Sequence, residues 1–139
     1  MKQYSSLAGG FVGYSLNKRN FIRVEYSVGA SIRYDDNVIF GHVRDLSLCG
    51  IFIRTDGEIP FDKPVQVTVY HDAVSSFKLY AQAVRRETEG MGLQVSKIDV
   101  KSFDSLRNIV EHKCNNQNAI MAETFKMLDR ITHTNEPVQ

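Results

Sequence analysis

The feature that most limits what this chain can fold into is a period of two. From Phe21 to Tyr34, the apolar residues Ile22, Val24, Tyr26, Val28, Ala30 and Ile32 alternate with Arg23, Glu25, Ser27, Ser31 and Arg33. Side chains of an extended chain point to opposite faces in turn, so this stretch is predicted to be one strand with a buried and a wet face. Asp35-Asp36-Asn37 reads as a turn, because these side chains bond nearby backbone and tolerate left-handed conformations. Val38 to Arg44 returns as the second arm of a hairpin. Gly50 to Thr55 is a short third strand, broken by Asp56-Gly57 and Pro60. Pro64 to His71 alternates with Val65, Val67 and Val69 inward, and Phe77 to Arg86 with Phe77, Leu79, Ala81 and Ala83 inward. Met91 to Val95 is the last strand. Six short strands at regular spacing predict a mainly β fold, an antiparallel sandwich or barrel, and a barrel removes exposed edges.

The period then changes. Ser102 can cap a helix with Asp104 in its first turn, and Phe103, Leu106 and Val110 form a helical stripe with Ile109 beside it. Cys114-Asn115-Asn116 reads as a stop. Ala119 to Ile131 is a second helical run with Met121, Phe125 and Leu128 on one face. That stripe requires cover from the barrel, the first helix or a partner chain, a homodimer included. The expected organisation is a flexible N-terminal arm over 1–16, containing Gly9, Gly10 and Gly13, and a barrel with the first C-terminal α-helix over 17–113. A helical extension over 114–139 ends in a frayed tail from Thr132.

Composition narrows the function. A chain of 139 residues with net charge +1 lacks the bulk positive charge of a nucleic-acid protein, so no nucleic-acid partner is expected. Cys49 and Cys114 are far apart, and the four histidines show no metal-binding spacing. Reduced thiols and a cytoplasmic location are expected, with no cofactor, no metal and no membrane span. No nucleophile–base pair or paired catalytic carboxylates suggest an enzyme. His42 and His71 have no paired acids, and Arg85, Arg86, Glu87 and Glu89 read as a solvated charged end.

Two short signatures flank the first hairpin. Arg19-Asn20-Phe21-Ile22-Arg23 reads R-x-x-x-R, with Lys18 as a third cation; Asp45-Leu46-Ser47-Leu48-Cys49-Gly50 reads D-x-S-x-x-G. A guanidinium grips phosphate oxygens or the O6/N7 edge of guanine through a planar fork and stacks on a base. A carboxylate accepts from the N–H edge of guanine, a hydroxyl donates or accepts, and a glycine allows close backbone approach. The bland alternatives are a solvated basic arm and a strand-end turn. A hairpin brings its two open ends together, so Arg19, Arg23, Asp45, Ser47 and Gly50 are predicted to meet at one end of the barrel.

In these signatures and their order the chain resembles the PilZ domain family. The resemblance extends through Ile51-Phe52-Ile53 to Gly90-Met91-Gly92-Leu93-Gln94-Val95. It implies a six-stranded antiparallel PilZ-like β-barrel with C-terminal α-helices, and a bacterial receptor for cyclic di-GMP that changes conformation and signals to a downstream protein partner. Arg19 and Arg23 would grip guanine and phosphate, Asp45 and Ser47 would hold a guanine edge, and Gly50 would leave room; Gly92 reads either as facing the ligand from the last strand or as marking a bulge. Many members carry arginine where this chain has Lys18, which keeps the charge but not the stacking plane and leaves one or two ligand molecules open. The alternative implied by the family is an interaction adaptor that works without nucleotide.

Overall fold

The structure is a computed structural model that describes residues 21–132. Its strands are β1 (Val24–Glu25), β2 (Gly29–Tyr34), β3 (Asn37–Leu46), β4 (Gly50–Arg54), β5 (Val65–Tyr70), β6 (Ser76–Glu87), β7 (Gly90–Asp99) and β8 (Ile131–Thr132). The helices are α1 (Val100–Cys114) and α2 (Gln117–Lys126), followed by a 3₁₀ turn at Leu128–Arg130. Strands β3, β2, β5, β6, β7 and β4 pair antiparallel in that order, and β4 pairs back onto β3, which closes a six-stranded barrel. Each barrel strand is therefore bonded along both edges, which settles the sandwich-or-barrel alternative in favour of the barrel that the resemblance implied.

The hairpin between β2 and β3 turns at Asp35, whose φ is 52°, so that Tyr34 pairs with Asn37. The barrel interior takes the apolar members of each alternation, with Ile32, Val67 and Val69 fully buried. Burying each such side chain contributes roughly 1.5–3 kcal/mol. β4 departs from alternation, because Ile51, Phe52 and Ile53 are all buried. Both faces of that strand are covered, the usual cause of a continuous apolar run. Phe52 stands apart from the main core cluster, on the outer face.

The first strand is interrupted where one continuous strand was expected. Glu25 pairs with Asp45 but Gly29 pairs with His42, so the leading segment carries one extra residue between them. The compensating irregularity is a β-bulge in β3, where Val43 faces Ile53 and Asp45 faces Phe52.

The helix ends also differ from expectation. Asp99, not Ser102, caps α1: its carboxylate accepts from the Ser102 N–H at 2.7 Å. Ser102 instead turns its Oγ toward the Lys78 N–H, at 3.4 Å. Asn115, with φ 62°, ends α1, as the stop signal predicted. In α2 the buried face is Ile120 and Glu123, continued by Met127, whereas Met121, Phe125 and Leu128 are exposed. The second helix also stops at Lys126, and Ile131–Thr132 forms a parallel pairing with β7 rather than a last helical turn.

Candidate functional site

Two bulges build the site. On β3 the residues Ile39, Gly41 and Val43 share the inward parity, and Asp45 would continue it into the core. The extra residue Arg44 reverses the parity, so Asp45 faces outward opposite Phe52 and Leu46 takes the buried position. On β6 the residues Phe77, Leu79, Ala81 and Ala83 point inward, and Arg85 would follow. A second bulge, at Val84, puts Arg85 opposite Gly92 on the outer face. Because Phe52 pairs with Gly92, the registers line up Asp45, Phe52, Gly92 and Arg85 in one row across β3, β4, β7 and β6.

The cleft over this row is lined by Arg23, Asp45, Ser47, Gly50, Phe52, Arg85 and Gly92, together with Ile51 and Leu93. The described arginine of the first signature therefore meets the second: Arg23 Nη1 lies 3.5 Å from Asp45 Oδ1. The other Asp45 oxygen, Oδ2, accepts from Arg44 Nε at 2.7 Å. Lys18 and Arg19 lie outside the described residues.

Ser47 organises the turn into β4. Its Oγ accepts from the Cys49 N–H at 3.2 Å and the Gly50 N–H at 3.1 Å, and its own N–H donates to the Gly50 carbonyl at 2.9 Å. The strand-end turn expected for this residue is present; its Oγ also stands 3.6 Å from Cys49 Sγ, and the residue lines the cleft wall. Gly50 is required by a close approach. A Cβ there would stand 3.0 Å from the Leu93 carbonyl oxygen, across the β4–β7 pair. Gly92 serves a different neighbour, since its Cβ would stand 3.0 Å from Arg85 Nη1 and 3.1 Å from Arg85 Cζ. The missing side chain is the space in which the Arg85 guanidinium lies.

Phe52 is the floor. The Arg44 guanidinium carbon sits 3.7 Å from the ring centroid and that of Arg85 at 5.8 Å. A cation over an aromatic face gains about 0.5–2 kcal/mol depending on its desolvation. Carboxylates hold these cations in place. Arg85 Nε donates to Glu87 at 2.6 Å, and Arg44 Nη1 donates to Glu89 at 3.2 Å, while Arg54 Nε donates to the other Glu89 oxygen at 3.0 Å. The bond to Asp45, reinforced by the nearby Glu89 and Glu87, raises the Arg44 pKa despite its partial burial. The bond from Arg85 lowers the Glu87 pKa. The result is a row of fixed guanidiniums whose donors are partly occupied, over a free volume of about 10 Å³, room for one water-sized group.

Arg85 and Arg44 were not expected at the site. For Arg85 the sequence signal was a charged residue at an inward parity position, following Ala83 as Asp45 follows Val43; Arg44 is the extra residue of the β3 bulge and had no such signal. Among the described residues no cluster of His, Cys, Asp and Glu could hold a metal ion, and no helix is long and apolar enough to cross a membrane.

Comparison with known proteins agrees with this architecture. The fold is similar to the PilZ domain of CeSA from a cellulose-synthesizing bacterium, at 14% identity and a TM-score of 0.52, over 64% of this chain and 94% of that one. It is similar to the PilZ domain of YcgR from Escherichia coli, solved with c-di-GMP, at 13% identity and a TM-score of 0.54, over 82% and 99%. It is also similar to the Bacillus subtilis inhibitor of motility MotI/DgrA, at 14% identity and a TM-score of 0.53, over 82% of this chain and 53% of that one. A search of curated proteins finds no match. The family model for the PilZ domain matches residues 17–112, well over half of the sequence. On that match, and on the closed barrel that brings Arg23 and Asp45 into one cleft, this chain belongs to the PilZ domain family.

Proposed function

We propose that the protein is a bacterial, cytoplasmic receptor for cyclic di-GMP that relays the second messenger to a protein partner and catalyses no reaction. The observation that carries the reading is the Arg23–Asp45 contact of 3.5 Å, in a cleft that also holds Ser47, Gly50 and Gly92. Arg23, with Lys18 and Arg19 ahead of it in sequence, grips phosphate and the guanine O6/N7 edge. Asp45 accepts from guanine N–H groups, and the Ser47 O–H donates to the ligand. Arg85, paired with Glu87 at its Nε, adds a second stacking plane on the far side of Phe52.

Relay follows from where Arg23 sits. The preceding residue, Ile22, donates its N–H to Glu123 Oε2 on α2 at 3.0 Å, and Lys126 of α2 lies 5.7 Å from the ring of Phe21. A pull on Arg23 is therefore transmitted to α2 through the adjoining backbone.

Calorimetry with cyclic di-GMP is the test. Binding is expected, and Arg23→Ala should weaken it by about 1–3 kcal/mol, the scale of one lost bidentate arginine contact. Arg85→Ala should weaken it by a similar factor. An unmodified chain that binds no cyclic di-GMP would sink the reading. One observation favours the alternative of a nucleotide-free interaction adaptor: the guanidiniums are already held by Asp45, Glu87 and Glu89 over a cleft of only about 10 Å³.

A further inference from the structure

The barrel wall formed by β3, β2, β5 and β6 carries a second surface, away from the cleft. Its outward positions follow from the registers. Phe40 pairs with Ser31, Ser31 with Thr68 and Thr68 with Lys78; one step along, Val38 pairs with Arg33, Arg33 with Gln66 and Gln66 with Tyr80. Tyr70 leans over the same face, with its hydroxyl 2.9 Å from Ser31 Oγ. Three interstrand steps of ~4.8 Å make this face roughly 14 Å across.

Its chemistry is unusual for a solvated wall. Phe40 is 72% exposed and Val38 44% exposed, with Tyr70 and Tyr80 also exposed. An apolar and aromatic patch rimmed by polar groups marks an interaction site. The two rows Phe40–Ser31–Thr68–Lys78 and Val38–Arg33–Gln66–Tyr80 contain no Asp or Glu. Arg33 and Lys78 make no ion pair among the described residues, whereas the arginines of the cleft are all paired with carboxylates. The face thus offers unspent cations next to uncovered aromatic rings.

We propose that this wall docks an acidic segment of a partner protein that also carries aromatic or aliphatic side chains. Carboxylates of that segment pair with Arg33 and Lys78, and its apolar side chains cover Phe40, Val38 and Tyr80. It does not bind by strand addition, because β2, β3, β5 and β6 are each bonded along both edges. Side chains alone hold it. Two cations are too few for binding dominated by a phosphate backbone, and Phe40 and Val38 require apolar cover that such a backbone does not supply. The surface is independent of the cyclic di-GMP reading, since none of its residues lines the cleft.

The test is amide chemical-shift mapping on the full chain, titrated with a short synthetic peptide alternating Glu with Phe and Leu. The same peptide with Lys in place of Glu and an oligothymidine of similar length serve as comparators. The acidic peptide should shift outward residues of β2, β3, β5 and β6. The variants Arg33→Glu/Lys78→Glu and Phe40→Ser should each weaken it roughly fivefold or more, about 1 kcal/mol. Their melting temperatures and cyclic di-GMP titrations should match the parent, which separates lost docking from lost folding or a failed cleft. The proposal is overturned if the Lys peptide binds as well, if the shifts fall elsewhere, or if the variants bind the acidic peptide like the parent. Tighter binding of the oligothymidine would reassign the face to nucleic acid. Sedimentation showing self-association lost in Phe40→Ser would reassign it to a second copy.

Discussion

Replacing Glu123 by Gln should stabilise this protein by an amount that grows from about pH 4.5 to about pH 7 and stays constant above it. The carboxyl is buried between α2 and the segment leading to β1; Oε2 accepts from the Ile22 N–H at 3.0 Å, and Oε1 has no hydrogen-bond partner among the described residues. Burial pushes its pKa from 4.5 to about 7, opposed in part by the Ile22 bond and by Lys126. In the folded state the proton is therefore held more tightly than in the unfolded chain. Below about pH 4.5 both states are protonated and the site carries no charge penalty. Between there and about pH 7 the unfolded chain ionises first, so stability falls as pH rises; above about 7 the loss is complete. A displacement of this size corresponds to roughly 3 kcal/mol. Gln keeps a carbonyl to accept from Ile22 and removes the charge. Urea denaturation of parent and variant, followed by far-ultraviolet circular dichroism, should give similar stabilities at about pH 4.5. At about pH 8 the Glu123→Gln protein should be more stable by up to ~3 kcal/mol. Subtracting the two proteins removes the titration of every other group. An identical difference at both pH values, or a less stable variant at pH 8, would refute the argument that burial of a charge governs this contact.

Other predictions separate neighbouring residues of the same type. At Gly90 a Cβ would meet backbone, 2.1 Å from the Ile53 oxygen and 2.8 Å from Arg54 Cα, so Gly90→Ala should cost ~1–3 kcal/mol in thermal or urea unfolding. At Gly92 the obstacle is the movable end of Arg85, so Gly92→Ala should leave stability nearly unchanged and act on cyclic di-GMP affinity, read by calorimetry. Asp99→Ala should cost about 1 kcal/mol through the lost cap of α1, measured by the same unfolding assay. Ser102→Ala should cost less, because the bond its hydroxyl accepts from the Lys78 N–H is long, at 3.4 Å.

The alternation of apolar and polar residues determined six antiparallel strands and their buried faces, because strand faces are set by a local period; it left sandwich and barrel open, and the closed barrel was what the family resemblance implied. Its hairpin order was equally legible, and with it the meeting of Arg23 with Asp45, Ser47 and Gly50, since a hairpin juxtaposes its own ends. Tertiary structure decided what a local period does not encode. One extra residue in a ladder reverses the parity of everything beyond it, and where it falls depends on the partner strand. That is why Asp45 and Arg85 leave their inward positions for the outer row with Phe52 and Gly92, and why the first strand divides. The same dependence on partners chose the cap and the buried face of the helices. Asp99 reached the first free N–H groups of α1 from the end of β7. On α2, the open N–H of Ile22 drew Glu123 inward beside Ile120, although Met121, Phe125 and Leu128 form the more apolar stripe.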